Sequence, residues 1–489
     1  MDWNNITVIV TGGAGAIGSN IVRDLLEKKV KKIIIIDDCS SGTIRNIPKS
    51  KKITIIQNDI VEYEIFKKIL HEKVSIIFHL AAHFANQNSV EHPIKDLKTN
   101  AIGTINVLKF AKETQKSQMQ DCHVIYASSS CVYGNKKIKL SENTTDIDLG
   151  TPYAISKLTG EYYCQFYAKQ YDIPVTILRY FNSFGPYEIH GKYRNVIPNF
   201  IAKSLLGKSL IITGTGKETR DFTFVKDTSK GTILAAELFL KNRDNFQTGE
   251  IINIGSGIQR KIEYVASAIN KITNNHSKTK YKERRYWDHV IHRVSDISKA
   301  KKKISYQPST NFEKGLEETI NWFRRTQSLS VVIPMYNEEK NARNTIYKVH
   351  ETLVKNNIIH QIVAINDCSN DSTKEILEDI NKKEQWCKVI HHRENKGPGG
   401  AFRTGFTEAE GAFILTMDAD LSFDPKQIPK LWEQRNDFDV IIGSQHMSSS
   451  KMINIPIQRV IVSKVAFILD KIMKRSNLLS YSNFFDLYI

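Results

Sequence analysis

An α/β architecture in two successive units is predicted, on three observations. Short β-branched runs alternate with helix-length amphipathic segments from residue 6 onward, the signature of βαβ units around a parallel sheet. The alternation loses its regularity after Phe181, as expected of a smaller lobe that covers a ligand. It restarts beyond a polar stretch at 324–328, which reads as a domain boundary.

Strands are expected at 6–10, 32–36, 53–56, 76–80, 124–127 and 175–178. Between them, 17–29 and 99–112 carry apolar residues at helical spacing. A helix near 312–325 closes the first unit. Four further strands, at 329–333, 361–365, 388–391 and 412–416, each run into a polar loop motif. The expected units are residues 1–326, with a substrate lobe mainly within 181–326, and residues 327–489. The two halves do not resemble each other, so they form a fusion and not a repeat.

Of the 489 residues, 41% are hydrophobic and 25% charged, which fits globular protein and excludes wholesale disorder. The net charge of +17 suits anionic partners. The basic residues are dispersed beside isoleucines and not gathered into an arm, so nucleic acid is not an expected partner. Six cysteines, at 39, 122, 131, 164, 368 and 387, show no CxxC pair and no zinc spacing, as in a reducing cytoplasm. The N-terminus lacks the basic-then-apolar order of a signal peptide. No run of 18 apolar residues occurs, so no membrane span is expected; peripheral membrane contact stays open.

Thr11-Gly12-Gly13-Ala14-Gly15-Ala16-Ile17-Gly18 follows the first strand and opens a helix. Glycines at 12, 15 and 18 permit a tight turn, close approach of backbone to a pyrophosphate, and close helix–strand packing. The helix N-terminus offers free N–H groups to phosphate. Asp37-Asp38, about 20 residues on, would accept ribose hydroxyls and repel a 2′-phosphate, favouring NAD over NADP. In Thr151-Pro152-Tyr153-Ala154-Ile155-Ser156-Lys157, a capped helix start puts Tyr153 and Lys157 one turn apart on one face. An ammonium together with an oxidised nicotinamide would favour the phenolate. Ser128-Ser129-Ser130-Cys131 leaves a strand at the carboxyl edge of the sheet, where open α/β folds bind ligands.

With these residues the first unit resembles the extended short-chain dehydrogenase/reductases, and among them the nucleotide-sugar 4-epimerases. The resemblance spans about residues 5–325 and includes Asn58-Asp59-Ile60, His79-Leu80-Ala81-Ala82, Asn100, Leu178-Arg179-Tyr180-Phe181-Asn182 and Arg220-Asp221-Phe222. It implies an NAD-binding Rossmann domain with a small substrate lobe. Gly12, Gly15, Ala16, Ile17, Gly18, Asp37, Asp59, Ile60, Ala81, Ala82, Asn100, Tyr153 and Lys157 would hold NAD. Ser129, Tyr153 and Lys157 would be catalytic, and Asn182, Arg220 and Arg293 would hold the substrate's nucleotide diphosphate. Related dehydratases carry Asp-Glu directly after the catalytic Ser/Thr, and related decarboxylases keep the Glu. Ser130 and Cys131 stand there in this chain, which leaves oxidation and re-reduction at one carbon.

The second unit carries Val331-Val332-Ile333-Pro334-Met335-Tyr336-Asn337-Glu338, then Asn366-Asp367, Lys396-Gly397-Pro398-Gly399-Gly400, and Asp418-Ala419-Asp420. Carboxylates at i and i+2 after a strand can share a hard divalent ion with a diphosphate. In this order the segments resemble the GT-A glycosyltransferases, most closely the dolichyl- and polyprenyl-phosphate sugar transferases. By that resemblance Pro334, Tyr336, Glu338 and Asp367 would line the nucleotide, and Asp418 and Asp420 would bind Mg²⁺ or Mn²⁺. Arg459 and Ser463 would meet the acceptor phosphate. Gly443-Ser444-Gln445 replaces the usual Gly-Ser-Arg, Asn366-Asp367 replaces Asp-Asp, and the sequence ends at an echo of a motif beyond which relatives continue. The expected domain is therefore a partial one.

The expected function is C4 epimerisation of a UDP-sugar in glycan or polysaccharide precursor synthesis, with an appended transferase-like unit whose acceptor would be polyprenyl phosphate or another glycan carrier. A homodimer is compatible with the resemblance. Two alternatives stay open: a nucleotide-sugar-binding or regulatory fusion with an inactive transferase unit, and a reductase or dehydratase.

Overall fold

The computed structural model describes residues 3–136, 138–144, 149–242, 246–436, 438–443 and 485–488. The chain divides into two compact units, Met1–Ile320 and Asn321–Ile489.

In the first unit the strands are β1 (Thr7–Thr11), β2 (Lys32–Asp37), β3 (Ile53–Gln57), β4 (Val74–His79), β5 (His123–Ser129), β6 (Val175–Tyr180), β7 (Asn182–Phe184), β8 (Ile211–Thr213), β9 (Thr219–Phe224), β10 (Glu250–Ile254), β11 (Gln259–Lys261) and β12 (Lys280–Lys282). Seven of them form one sheet in the order β10-β6-β5-β4-β1-β2-β3, with every pairing parallel. A sheet covered on both faces needs apolar side chains on both, which is why the central strands are near-continuous runs of Val and Ile. Val8 and Val10 enter one core and Ile9 the opposite one. The strand order reverses between β1 and β4, so a crevice opens at their carboxyl ends.

Helices α1 (Ala16–Glu27), α2 (Glu64–Lys68), α3 (Asn86–Glu91), α4 (Pro93–Leu97), α5 (Gly103–Gln118) and α6 (Pro152–Tyr171) connect the strands. The helix expected over 99–112 instead begins as a π-helical turn, Lys98–Ile102, that passes into α5. A small lobe is built from the sheet β11-β9-β7, the pair β12-β8 and the helices Val196–Leu205 and Ile262–Thr273. The segment 181–326 is not all lobe: β10 returns to the main sheet beside β6, and the helix Val225–Lys241 supplies Ile233, Ala235 and Ala236 to the main core.

Arg179 on β6 and Glu161 on α6 form a buried bidentate pair, Nε–Oε1 2.9 Å and Nη2–Oε2 2.6 Å. Ser128 on β5 donates to the same Glu161 Oε1 at 2.5 Å. Three elements are thus tied by one neutralised charge.

The second unit contains β13 (Ser328–Met335), β14 (Ile359–Asn366), β15 (Cys387–His391), β16 (Phe413–Thr416), β17 (Val440–Ile442) and β18 (Asp486–Tyr488), ordered β15-β14-β13-β16-β18-β17. The first four, expected from the sequence, are mutually parallel. The last strand, at the segment read only as a motif echo, inserts antiparallel between β16 and β17. Among the described residues no helix is long and apolar enough to cross a membrane.

Arg179→Met leaves Glu161 buried without a counter-charge and is expected to cost about 3 kcal/mol or more, read as a lower urea midpoint for the first unit. Pairing it with Glu161→Gln should recover much of that loss.

Candidate functional site

A cavity of about 840 Å³ lies at the carboxyl edge of the parallel sheet. Gly12, Gly15, Ala16, Ile17, Gly18, Asp37, Asp59, Ile60, Ala81, Ala82, Ser129, Tyr153, Lys157, Asn182, Arg220 and Arg293, scattered over nearly 300 residues of sequence, all line it.

One wall is the turn from β1 into α1. Gly12 has φ +72°, and a Cβ there would lie 2.7 Å from Ala81 N. A Cβ on Gly18 would collide with the Gly12 carbonyl. Only glycine lets the two strand ends and the helix start come this close. Asp37 at the end of β2 accepts from Ala14 N and Cys39 N, each at 2.8 Å. Burial pushes its carboxyl up, against those two N–H groups. The turn glycines, the open helix N-terminus and a carboxylate at the next strand end fit a dinucleotide with a free 2′-hydroxyl.

Asn100 does not reach the cavity, contrary to the expectation that it contacts the cofactor. It is wholly buried behind the wall. Its Oδ1 accepts from His83 N at 2.9 Å, while Nδ2 faces Asp96 Oδ1 at 2.8 Å and Ser156 Oγ at 3.1 Å. The π-helical turn that carries Asn100 was not legible in the helical spacing, and it aims the side chain inward.

Tyr153 and Lys157 sit in the first two turns of α6, started by Pro152 behind a Thr151 cap. Tyr153 N is held by Ser89 Oγ at 3.0 Å, and Thr151 Oγ1 donates to Asn86 Oδ1 at 2.9 Å. The Lys157 ammonium donates to the Ala127 carbonyl at 2.9 Å and lies 5.9 Å from the Tyr153 ring centroid. Burial lowers Lys157 to about 8, with Asp96, Cys164 and Glu161 working the other way. Burial raises the Tyr153 phenol, Cys131 and Asp96 raise it further, and Ser129 lowers it. In the protein's own field desolvation dominates and favours the protonated phenol, so the expected phenolate depends on the added positive charge of an oxidised nicotinamide as well as on the ammonium.

On the substrate side Arg220 donates to the Thr219 and Val290 carbonyls and lies 3.7 Å from Asp288. Burial and the nearby Arg293 lower it to about 10. Arg293 is buried and reaches Cys131 Sγ at 3.5 Å and the Gly134 carbonyl at 3.2 Å. Asn86 Nδ2 also reaches Cys131 Sγ, at 3.5 Å. Sequence reasoning missed Asn86, Arg194 and Arg285, which line the same cavity. Asn86 follows the β4 motif by a few residues, yet only the fold brings it to Thr151 and Cys131; the two arginines lie in segments without periodicity.

In the second unit Asp367 is buried, with Oδ1 2.6 Å from His392 Nδ1 and 2.9 Å from Lys396 N. His392 Nε2 lies 2.8 Å from Thr404 Oγ1. The Glu338 carboxylate accepts from Asn341 Nδ2 at 2.8 Å and its backbone N–H donates to Thr373 Oγ1 at 2.8 Å, while Tyr336 is half exposed beyond the partly covered Pro334. Asp418 is pushed up to about 6 by burial, Asp420 and Glu338, a crowding of carboxylates that a cation relieves. Among the described residues no group of three or more ligating side chains is assembled, so a metal would draw its remaining ligands from diphosphate and water. Arg459, Ser463, Ser444 and Gln445 lie outside the described residues.

Compared with known proteins, residues 9–319 match the family model described as GDP-mannose 4,6 dehydratase, and residues 330–488 match glycosyl transferase family 2. A UDP-N-acetyl-alpha-D-glucosaminuronate decarboxylase of Bacillus cytotoxicus is 36% identical over 334 residues, covering 65% of this chain and 98% of that protein. The solved structure of an epimerase from Methanothermobacter thermautotrophicus is 40% identical with a TM-score of 0.61, covering 66% of this chain and 93% of its own. A Thermus thermophilus UDP-glucose 4-epimerase solved with NAD is 26% identical with a TM-score of 0.58, covering 65% and 99%. By these matches the chain belongs to the extended short-chain dehydrogenase/reductases of the GDP-mannose 4,6 dehydratase family, as an enzyme of their NAD-dependent UDP-sugar epimerase and decarboxylase group, with a glycosyl transferase family 2 domain behind it.

Proposed function

We propose that the first unit inverts C4 of a UDP-sugar through a 4-keto intermediate. The observation that carries this reading is the content of one cavity: a dinucleotide cradle, the set Ser129, Tyr153 and Lys157, and no carboxyl acid after Ser129. Loss of water or protonation of a ring carbon requires an acid beside the sugar. Ser130 and Cys131 occupy those positions, and the Cys131 sulfur is engaged by Asn86 and Arg293.

NAD in the cradle supplies the two-electron acceptor and donor for C4. Tyr153, as phenolate, removes the proton from O4, with the Ser129 hydroxyl hydrogen-bonding that oxygen. Lys157 stabilises the phenolate. Arg220, Arg293 and Asn182 keep the nucleotide end anchored while the keto sugar turns its other face inward. Tyr153 then returns its proton, and no net oxidation results.

A second reading is decarboxylation of a UDP-hexuronate, favoured by the Bacillus relative and by Arg293, a buried cation with no carboxylate partner among the described residues. The second unit we read as a donor-nucleotide site in which Asp418 and Asp420 hold Mg²⁺ or Mn²⁺ beside Glu338 and Asp367, with Arg459 and Ser463 toward the acceptor. Exposed Ile155, Tyr162 and Phe166 on one face of α6 support a homodimer. A cytoplasmic setting agrees with nucleotide-sugar chemistry.

Incubation with a panel of UDP-sugars, followed by NMR of the ring, is expected to show inversion at C4 without consumption of added NADH; release of CO₂ from a UDP-hexuronate instead would favour the second reading. Tyr153→Phe should lower turnover by roughly a thousandfold or more while the protein still retains NAD. Because Lys157 titrates at about 8, its charge is present below that pH and lost above it, so kcat/KM should fall as pH rises through about 8.

A further inference from the structure

Asn86 lines the cavity with Ser129, Cys131 and Tyr153, yet neither the dinucleotide cradle nor the Ser129–Tyr153–Lys157 set includes it. Its place relative to Tyr153 is fixed twice. Through the side chain, Thr151 at the start of α6 donates its hydroxyl to Asn86 Oδ1 at 2.9 Å. Through the main chain, the Ser89 hydroxyl donates to the Asn86 carbonyl at 2.7 Å and accepts from Tyr153 N at 3.0 Å. The Phe84 ring adds an edge-on contact with the Tyr153 ring, 6.1 Å between centroids. The segment after β4 is thus bolted to the first turn of α6, beside the phenol.

These bonds also decide which end of the amide is left for a ligand. The Thr151 oxygen accepts from Ala154 N, so its own proton goes to Asn86 Oδ1. Nδ2 is thereby turned toward Cys131 Sγ, at 3.5 Å. A thiol sulfur is a weak acceptor, and Arg293 Nη1 approaches the same sulfur at the same distance. An amide nitrogen carries two donors, so at least one N–H of Asn86 has no acceptor among the described residues. A sugar that dries this wall must supply an oxygen to it or leave a desolvated donor behind.

We propose that Asn86 Nδ2 donates to the hydroxyl oxygen that flanks C4 on its side of the site, and so selects the sugar and holds it in both half-reactions. This deepens the epimerase reading and rests on it for the carbon presented to Tyr153. Cys131 N donates to Ser129 Oγ at 3.1 Å, so the sulfur that Nδ2 approaches belongs to the same short turn as the hydroxyl assigned to O4. An oxygen on a neighbouring ring position is the acceptor that matches this placement. Turning the keto sugar over about its C1–C4 axis exchanges the two sides of the ring. One fixed donor therefore meets the C3 hydroxyl in one orientation and the C6 hydroxyl in the other, and the two C4 epimers are held through different oxygens.

The test is a binding cycle on the full-length, NAD-loaded protein, read as calorimetric Kd. The probes are UDP-glucose, UDP-galactose, the 3-deoxy and 6-deoxy forms of each, and UDP. Asn86→Leu, close in volume and without a donor, should weaken both parent sugars by roughly threefold to tenfold, the range of one neutral hydrogen bond, and leave UDP unchanged. For each epimer one deoxy form should feel the substitution by less than about twofold, and that form should differ between the epimers. Asn86→Ala must give the same pattern if the Leu variant does not retain NAD. Equal penalties on parent and deoxy forms overturn the proposal, as does the same deoxy form escaping for both epimers. So does an equal loss of UDP affinity, loss of NAD from both variants, or a wild type that binds UDP-glucose and UDP-galactose no better than UDP. The expected cycle in a protein that inverts no C4 would remove the epimerase reading and leave Asn86 as a sugar contact; equal penalties in an active epimerase would do the reverse.

Discussion

Charge burial at the carboxyl edge of the parallel sheet is the constraint on which the first unit depends. Arg179, Glu161 and Lys157 are almost inaccessible to water, and an unpaired charge in such a place costs several kcal/mol. The fold meets that cost by closing a bidentate pair between β6 and α6 and adding the Ser128 hydroxyl from β5. Those same elements carry Ser129, Tyr153 and Lys157. The ion pair therefore ties together the elements that carry these three side chains, while the apolar faces of β5 and β6 supply the stability.

The cavity in front of this edge has two chemically different walls. Toward β1 and β2 it is backbone, glycine and the carboxylates Asp37 and Asp38, a surface suited to phosphate N–H contacts and ribose hydroxyls. Toward the lobe it is cationic, with burial and the nearby Arg293 both lowering Arg220. Neither wall alone specifies a reaction. Tyr153 lies where they meet, with the phenol disfavoured as an anion until charge is added.

The second unit repeats the logic of loops at strand ends with other residues. Asp367 is oriented by His392 and the Lys396 N–H, and the Asp418 carboxyl is pushed up by burial first and by Asp420 and Glu338 after it. Both carboxylates stand just beyond the carboxyl ends of parallel strands, Asp367 after β14 and Asp418 after β16.

Much of this was legible in linear order, because it depends on local chemistry. Glycine spacing after a strand, a capped helix start before Tyr153 and Lys157, and buried runs of Val and Ile each follow from backbone sterics and hydrophobic periodicity. The ten expected strands lie within one or two residues of where these signals place them, whereas β7 to β12, β17 and β18 were not anticipated as strands. Asn100, expected at the cofactor from the family resemblance, is buried on a π-helical turn, a local geometry that spacing tuned to an ordinary helix does not register. Asp96, on a five-residue helix beside exposed Ile94 and Leu97, reads in sequence as a solvated charge. By itself the sequence determined the strand–loop grammar and the identity of the reactive groups, since those need only neighbours along the chain. Only the tertiary structure decided which charges share a dry space, because desolvation and Coulomb interaction depend on distances between residues far apart in order.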